Sequence, residues 1–199
     1  MTDNDRRCCQ EPGQKGQRRG KSSFWMQDPE LVFGALSLEE GDSFLDMGCG
    51  PGDYSMRASE IVGDSGAVYS LDRWQDVIDD LAEKARSRGF RNIRAVVSDI
   101  SEHLPVDDES VDLCFISTVL HSLDLADVET SLFGEIRRVL KPGGRVAIIE
   151  CKKEEQQFGP PMSMRLSPEE IQGSIIRYGF ETMDLVDLGY NYMITFVKT

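Results

Sequence analysis

The chain has 199 residues, 40% of them hydrophobic, which is enough for one sizeable core and within the length of a single domain. Its 22 Lys and Arg stand against 35 Asp and Glu, and the resulting net charge of -13 repels nucleic acid and anionic lipid, so neither is expected as a partner. No stretch approaches the roughly 20 apolar residues of a membrane span, and the N-terminus carries charges where a secretion signal has its apolar core; the expected location is the cytoplasm.

Five cysteines without framework spacing argue against a disulfide scaffold. Cys8 and Cys9 are adjacent but have no CxxC or His companion, so no metal site is expected. From Thr2 to Lys21 the sequence lacks aromatic and large aliphatic residues, which predicts a mobile tail over residues 1–22 ahead of one domain over 23–199. "DPELVFGAL" then reads as a short helix, with Asp28 as N-cap and Pro29 in the first helical position.

Phe44 to Met47 form a short apolar strand running into Gly48, Gly50 and Gly52, and Ala67 to Leu71 give a second strand. Between Trp74 and Arg88, residues Trp74, Val77, Ile78, Leu81 and Ala85 share one helical face, and Gly89 is a stop. "NIRAVV" and "VDLCFI" are the third and fourth strands, with Cys114 reading as core. A helical stripe of Val128, Leu132, Ile136 and Val139 ends at "KPGG", which feeds the fifth strand, "RVAIIE". In "SPEEIQGSIIRYG", Ser167 caps a helix, Glu170 completes a capping box and Gly179 ends it. The runs "FETMDLVDL" and "YNYMITFVKT" are joined too tightly at Gly189 for a crossover and predict an antiparallel hairpin. Strands alternating with helices imply an α/β, doubly wound, mostly parallel sheet covered on both faces. The irregular insert "KKEEQQFGPPMS" is long enough to be a functional loop; with Cys151, Lys152, Lys153, Phe24 and Trp25 it is the candidate lid of a substrate site.

In such a sheet the ligand crevice lies beyond the carboxyl ends of the strands. The first loop departs from the dinucleotide fingerprint G-x-G-x-x-G, because Asp53 stands where the third glycine belongs. An acid there repels a pyrophosphate at the helix N-terminus and points to a ligand without phosphates. Asp72 closes the second strand about 20 residues after the loop, where a carboxylate accepts from both ribose hydroxyls. Asp99 closes the third strand and suits an exocyclic amine, with Ile100 as an apolar wall for a flat base. Together they describe an adenosine site without phosphates.

At these residues the chain resembles the class I S-adenosylmethionine-dependent methyltransferases. The glycine motif is matched by Asp46-Met47-Gly48-Cys49-Gly50-Pro51-Gly52, the ribose acid by Asp72 in "SLDRW" and the adenine-side acid by Asp99 in "SDI". "DESVDLCFIS" and "EIRRVLKPGGRVAIIE" also look like family segments, and the resemblance runs from about Asp28 to Thr199. It implies a seven-stranded Rossmann-like sheet with a reversed last hairpin. It also implies Gly48, Cys49 and Gly50 against the methionine part of S-adenosylmethionine, Asp72 and Arg73 near the ribose, Asp99 and Ile100 near the adenine, and Ser117 close to the cofactor. Cys49 is then a loop filler, with a reactive thiol as the alternative.

Methyl transfer is governed by alignment, and a general base is needed only where the acceptor must shed a proton early. The candidate base is His121 in "STVLHSL", just past the fourth strand; His103 reads as an exposed loop residue. Where relatives that methylate nucleic-acid bases or glutamine often carry an Asn-Pro-Pro-Tyr-like motif, this chain has "ISTV", which with the acidic charge points to a small-molecule acceptor; within the family the chain resembles the small ubiquinone-biosynthesis-like and general small-molecule branch. The alternatives are a cofactor-binding regulatory or scaffold protein with little turnover, a nicotinamide-dependent dehydrogenase, and an arsenite methyltransferase, whose thiolate spacings Cys8, Cys9, Cys114 and Cys151 do not match.

Overall fold

The computed structural model describes residues 22–199, so the expected tail lies, except for Ser22, outside the described residues. In chain order the elements are α1 (Pro29–Leu36), β1 (Ser43–Met47), α2 (Asp53–Val62), β2 (Ala67–Asp72), α3 (Gln75–Ser87), β3 (Ile93–Val97), β4 (Val111–Ser117), α4 (Leu125–Val139), β5 (Leu140–Cys151), α5 (Pro168–Ile175), β6 (Phe180–Leu188) and β7 (Asn191–Lys198). They form one seven-stranded sheet in the order β3-β2-β1-β4-β5-β7-β6. All pairings are parallel except those of β7, which runs antiparallel to both β5 and β6. The predicted hairpin is present, with its second strand inserted between β5 and β6. Strand order reverses at β1, which pairs with β2 on one side and β4 on the other, so a crevice opens at their carboxyl ends.

Alternating strand residues feed two layers. Leu113 and Phe115 of β4 join Phe44, Val68 and Ile149 against α1 and α2, whereas Cys114 and Ile116 join Leu45, Ile148 and Ile194 against α4 and α5. Cys114 is therefore core, as its pattern predicts. The expected caps form: Asp28 Oδ1 accepts from the Glu30 N–H at 3.0 Å, and Ser167 and Glu170 make a reciprocal capping box.

Two features differ from the sequence pattern. Helix α2 carries no clear apolar stripe, because its buried face includes Ser55 and Ser59 beside Ala58. The "KPGG" turn lies inside β5 rather than before it: α4 passes directly into Leu140, and the β4–β5 register shifts between Val111 and Leu113.

Candidate functional site

After Met47 the backbone turns sharply, and the N–H groups of Gly48 and Cys49 both donate to the Leu71 carbonyl at 2.8 and 2.9 Å. Gly48 has φ +80°, and a Cβ there would lie 2.6 Å from Val119 Cγ2. Gly52 caps α2 at φ +82°, and a Cβ there would meet Leu81 Cδ1 at 2.1 Å. Both positions therefore need glycine for conformation and for space. Around Gly50, by contrast, the loop faces open space.

The three expected acids reach the same crevice. Asp72 Oδ2 accepts from the Gly50 N–H and Oδ1 from the Trp74 N–H, both at 3.1 Å. Burial pushes its carboxyl up, against the pull of those N–H groups. Asp99 Oδ1 accepts from the Ser101 N–H at 3.0 Å and the Ser101 hydroxyl at 2.7 Å. Burial pushes Asp99 up, but Ser101 and the Arg73 charge outweigh it and hold the carboxyl low. Asp46 is buried and accepts from Ser55 Oγ at 2.6 Å, and Ser55 in turn accepts from Ser70 at 2.8 Å. Burial raises Asp46 to about 7; the Ser55 hydroxyl opposes the rise and the Asp72 charge adds to it.

The crevice has two chambers. One, of about 180 Å³, is lined by Asp72, Arg73, Asp99 and Ile100, together with Trp74. The other, of about 220 Å³, is lined by Asp46, Cys49, Gly50 and Ser117, together with Tyr54 and Ser23. Gly48, Thr118 and Val119 line both and form the wall they share. Burial, then the charges of Asp46 and Asp72, holds the Cys49 thiol protonated, which disfavours a reactive thiol. Every expected cofactor-side residue thus lines one chamber or the other.

Trp74, expected on the apolar face of α3, stands instead at its N-cap and lines the first chamber, and Thr118 and Tyr54 line the crevice although the sequence did not single them out. Tyr54 is buried, stacks edge-on against Phe24 with ring centres 5.1 Å apart, and receives a hydrogen bond from Gln27 Nε2. Ser23 Oγ lies 2.9 Å from Ser117 Oγ, so the segment Ser23–Met26 is seated on the second chamber. The only sequence signal for Tyr54 was its place directly after the glycine loop.

His121 occupies a turn at Leu120–Ser122 and lines neither chamber. Its Nδ1 lies 2.8 Å from Glu150 Oε2, and its backbone N–H donates to Glu150 Oε1 at 3.3 Å. His103 is an exposed loop residue beside Glu135. The expected lid is divided: Phe24 packs on Tyr54 at the crevice, while Phe158 of the insert packs on Tyr190 of the β6–β7 turn, ring centres 4.5 Å apart. The insert is held from inside by Arg165, 5% exposed, whose guanidinium donates to the carbonyls of Lys152, Glu154, Phe158 and Pro160. Lys152 pairs with Asp187 and Lys153 with Glu170. Cys49, Cys114 and Cys151 are buried and free, and among the described residues no three His, Cys, Asp or Glu cluster as metal ligands. Among the described residues no helix is long and apolar enough to cross a membrane.

A doubly wound sheet with a reversed last strand, a glycine loop after β1 and acids closing β2 and β3 defines a Rossmann-like fold with a crevice at the carboxyl ends of its central strands. A family profile described as "Methyltransferase domain" matches residues 38–185, and the chain belongs to the class I S-adenosylmethionine-dependent methyltransferase family. It is similar to a demethylmenaquinone methyltransferase of Lactobacillus johnsonii, 36% identical over 121 residues, which are 61% of this chain and 48% of the relative. It is also similar to an arsenite methyltransferase of Halobacterium salinarum, 31% identical over 149 residues, 74% of this chain and 36% of the relative. The chain thus spans half or less of these curated relatives. Among solved structures it is similar to a SAM-dependent methyltransferase from Aquifex aeolicus, with TM-score 0.82 and 30% identity, covering 90% of this chain and 94% of that one.

Proposed function

We propose that this chain transfers a methyl group from S-adenosylmethionine to a small acceptor, and that residues 23–199 carry the activity as a single domain. The observation that carries the reading is the pairing of two chambers across Gly48 and Val119, one walled by Asp72 and Asp99, the other by the glycine loop with, among the described residues, no Lys or Arg in its lining. That donor set fits a nucleoside joined to a zwitterionic amino acid and does not fit a pyrophosphate. In this reading Asp72 and Arg73 hold the ribose, Asp99 and Ile100 the adenine, and Gly48, Cys49 and Gly50, with Asp46 and Ser117, the methionine portion.

The bound cofactor supplies a methyl group on a sulfonium, whose C–S electron pair returns to sulfur on transfer. What remains for the protein is alignment and exclusion of water, worth on the order of 7 to 11 kcal/mol at best. Tyr54 and the Ser23–Met26 segment close the methionine side. His121 Nε2 is the proposed proton acceptor for an acceptor molecule bound beyond β4.

The similarity to demethylmenaquinone methyltransferases makes a hydroquinone-like aromatic the favoured acceptor. Cys8 and Cys9 lie outside the described residues; the described cysteines, Cys49, Cys114 and Cys151, do not favour arsenite, being buried with thiols that burial keeps protonated, whereas the metalloid needs thiolates. The test is isothermal titration with S-adenosylmethionine, S-adenosylhomocysteine and NAD in parallel, followed by assay of S-adenosylhomocysteine release over a panel of hydroquinones, phenols and arsenite. Binding of the first two alone, with release on a hydroquinone, is expected. Binding of NAD alone overturns the reading, and cofactor binding without release on any acceptor favours a regulatory or scaffold role.

A further inference from the structure

The second chamber, in the reading above, takes an amino acid with a charge of each sign. Asp46, an acid buried in its lining, suits the ammonium. A carboxylate needs hydrogen-bond donors, and the glycine loop has already committed its own. Gly48 and Cys49 donate to the Leu71 carbonyl, Gly50 to Asp72 and Gly52 to the Cys49 carbonyl at 3.0 Å, while Pro51 has no N–H. Thr118 is committed too: its N–H donates to the Ile149 carbonyl and its hydroxyl to the Ser117 carbonyl, both at 2.7 Å. Among the described lining residues no Lys or Arg is present, and the side-chain donors that remain are the hydroxyls of Ser22, Ser23, Tyr54 and Ser117.

Gln27 governs the direction of the Tyr54 hydroxyl. Asn191, 1% exposed, donates from Nδ2 to Gln27 Oε1 at 2.6 Å, so the Gln27 amide nitrogen faces Tyr54 and donates to its oxygen. A phenol oxygen that accepts from Gln27 has its own hydrogen to give elsewhere. The other hydrogen-bonding neighbours of that hydroxyl are Ser117 and Ser23, whose oxygens lie 2.9 Å apart. Burial pushes the phenol up, against the pull of Ser117, Gln27 and Ser23, so the hydrogen stays on oxygen. The rings of Phe24 and Phe115, with centres 5.1 and 4.7 Å away, hold the tyrosine ring in place. Reversing the relay would turn the phenol hydrogen onto Gln27 and away from the chamber.

We propose that the Tyr54 hydroxyl, with those of Ser23 and Ser117, binds the carboxylate at the amino-acid end of the cofactor, and that Gln27 is the positioning residue that turns the phenol hydrogen toward it. This rests on the methyltransferase reading and divides the second chamber into two poles, Asp46 for the ammonium and the hydroxyls for the carboxylate. Hydrogen bonds to a charged group are the stronger kind, so three hydroxyls can replace an arginine here. Ser23 and Gln27 both come from the segment ahead of α1, so the carboxylate pole is complete only when that segment is seated. A ligand without the carboxylate gains nothing from it.

The test is isothermal titration of the full chain with three ligands: S-adenosylmethionine, its decarboxylated form, which keeps sulfonium and ammonium, and methylthioadenosine, which lacks the amino-acid end. Tyr54→Phe is expected to weaken S-adenosylmethionine binding by about five- to tenfold and to leave the other two ligands unchanged. Gln27→Met keeps an unbranched side chain without the amide, and is expected to lose about threefold toward S-adenosylmethionine alone. In the Tyr54→Phe background Gln27→Met is expected to change nothing further, because the hydrogen it would release is absent. A merely structural role at either position moves the melting temperature but not the ratio between ligands. Equal loss toward the decarboxylated ligand in Tyr54→Phe, or unchanged affinity for all three, overturns the assignment, as does a wild-type chain that binds the first two ligands equally. Failure of the wild type to bind S-adenosylmethionine overturns the methyltransferase reading itself, and the carboxylate pole with it.

Discussion

Along the ends of β1, β2 and β3 the crevice is walled by groups held by near neighbours: Asp99 by Ser101, Asp72 by Trp74, Asp46 by Ser55. Past β4 and β5 the partners come from far along the chain: Ser117 meets Ser23, 94 residues away, His121 meets Glu150, 29 away, and Asn191 after the last turn donates to Gln27, 164 away. The first region is built by short local motifs. The second owes its shape to the tertiary fold.

Four perturbations sharpen this contrast. The largest effect is expected at Asp46, whose pKa rises on folding from 3.8 to about 7. An acid raised in the folded state loses stability as pH climbs through that interval, because the unfolded chain ionises first. Asp46→Asn, which still accepts from Ser55, should therefore melt close to wild type at pH 4 and well above it at pH 8, by on the order of 4 kcal/mol. A pH-independent difference breaks the assignment. On the opposite side, Arg165→Met strands four carbonyls and should cost on the order of 3 kcal/mol in chemical denaturation. Hydrogen exchange should then speed first in residues 152–166, while the glycine loop keeps its protection.

Asp72→Ala should weaken S-adenosylmethionine binding by about 1 to 3 kcal/mol, or about 5- to 150-fold, by titration. Unchanged affinity removes the ribose from that chamber. Tyr54→Phe should have the smallest effect, about 1 kcal/mol of stability, through loss of the hydroxyl that receives Gln27. Its signature is faster proteolysis at Ser22–Gln27 with the rest of the fold intact.

The local region is also the part legible in the sequence. The acids closing β2 and β3, the glycine loop, the caps at Asp28 and Ser167 and the final hairpin all follow from spacing within about twenty residues. Helix α2 was not legible, because small polar residues such as Ser55 and Ser59 line its buried face and erase the apolar period. Glu150 read as a strand end, since nothing near it in sequence marks it as the partner of His121. Phe24 and the insert were read as one lid because both are irregular and aromatic. The structure separates them by giving each its own tyrosine, Tyr54 and Tyr190.

Inserting β7 between β5 and β6 has a practical outcome for anyone handling the protein. It leaves β6 as the sheet's outer strand, with Met183 and Leu185 exposed along a backbone edge that pairs only with β7. Glu181 and Asp184 interrupt that apolar edge, and like charges set opposite one another discourage two copies from zipping together. Replacing those two acids with apolar residues would leave an unguarded edge for a second copy to pair with.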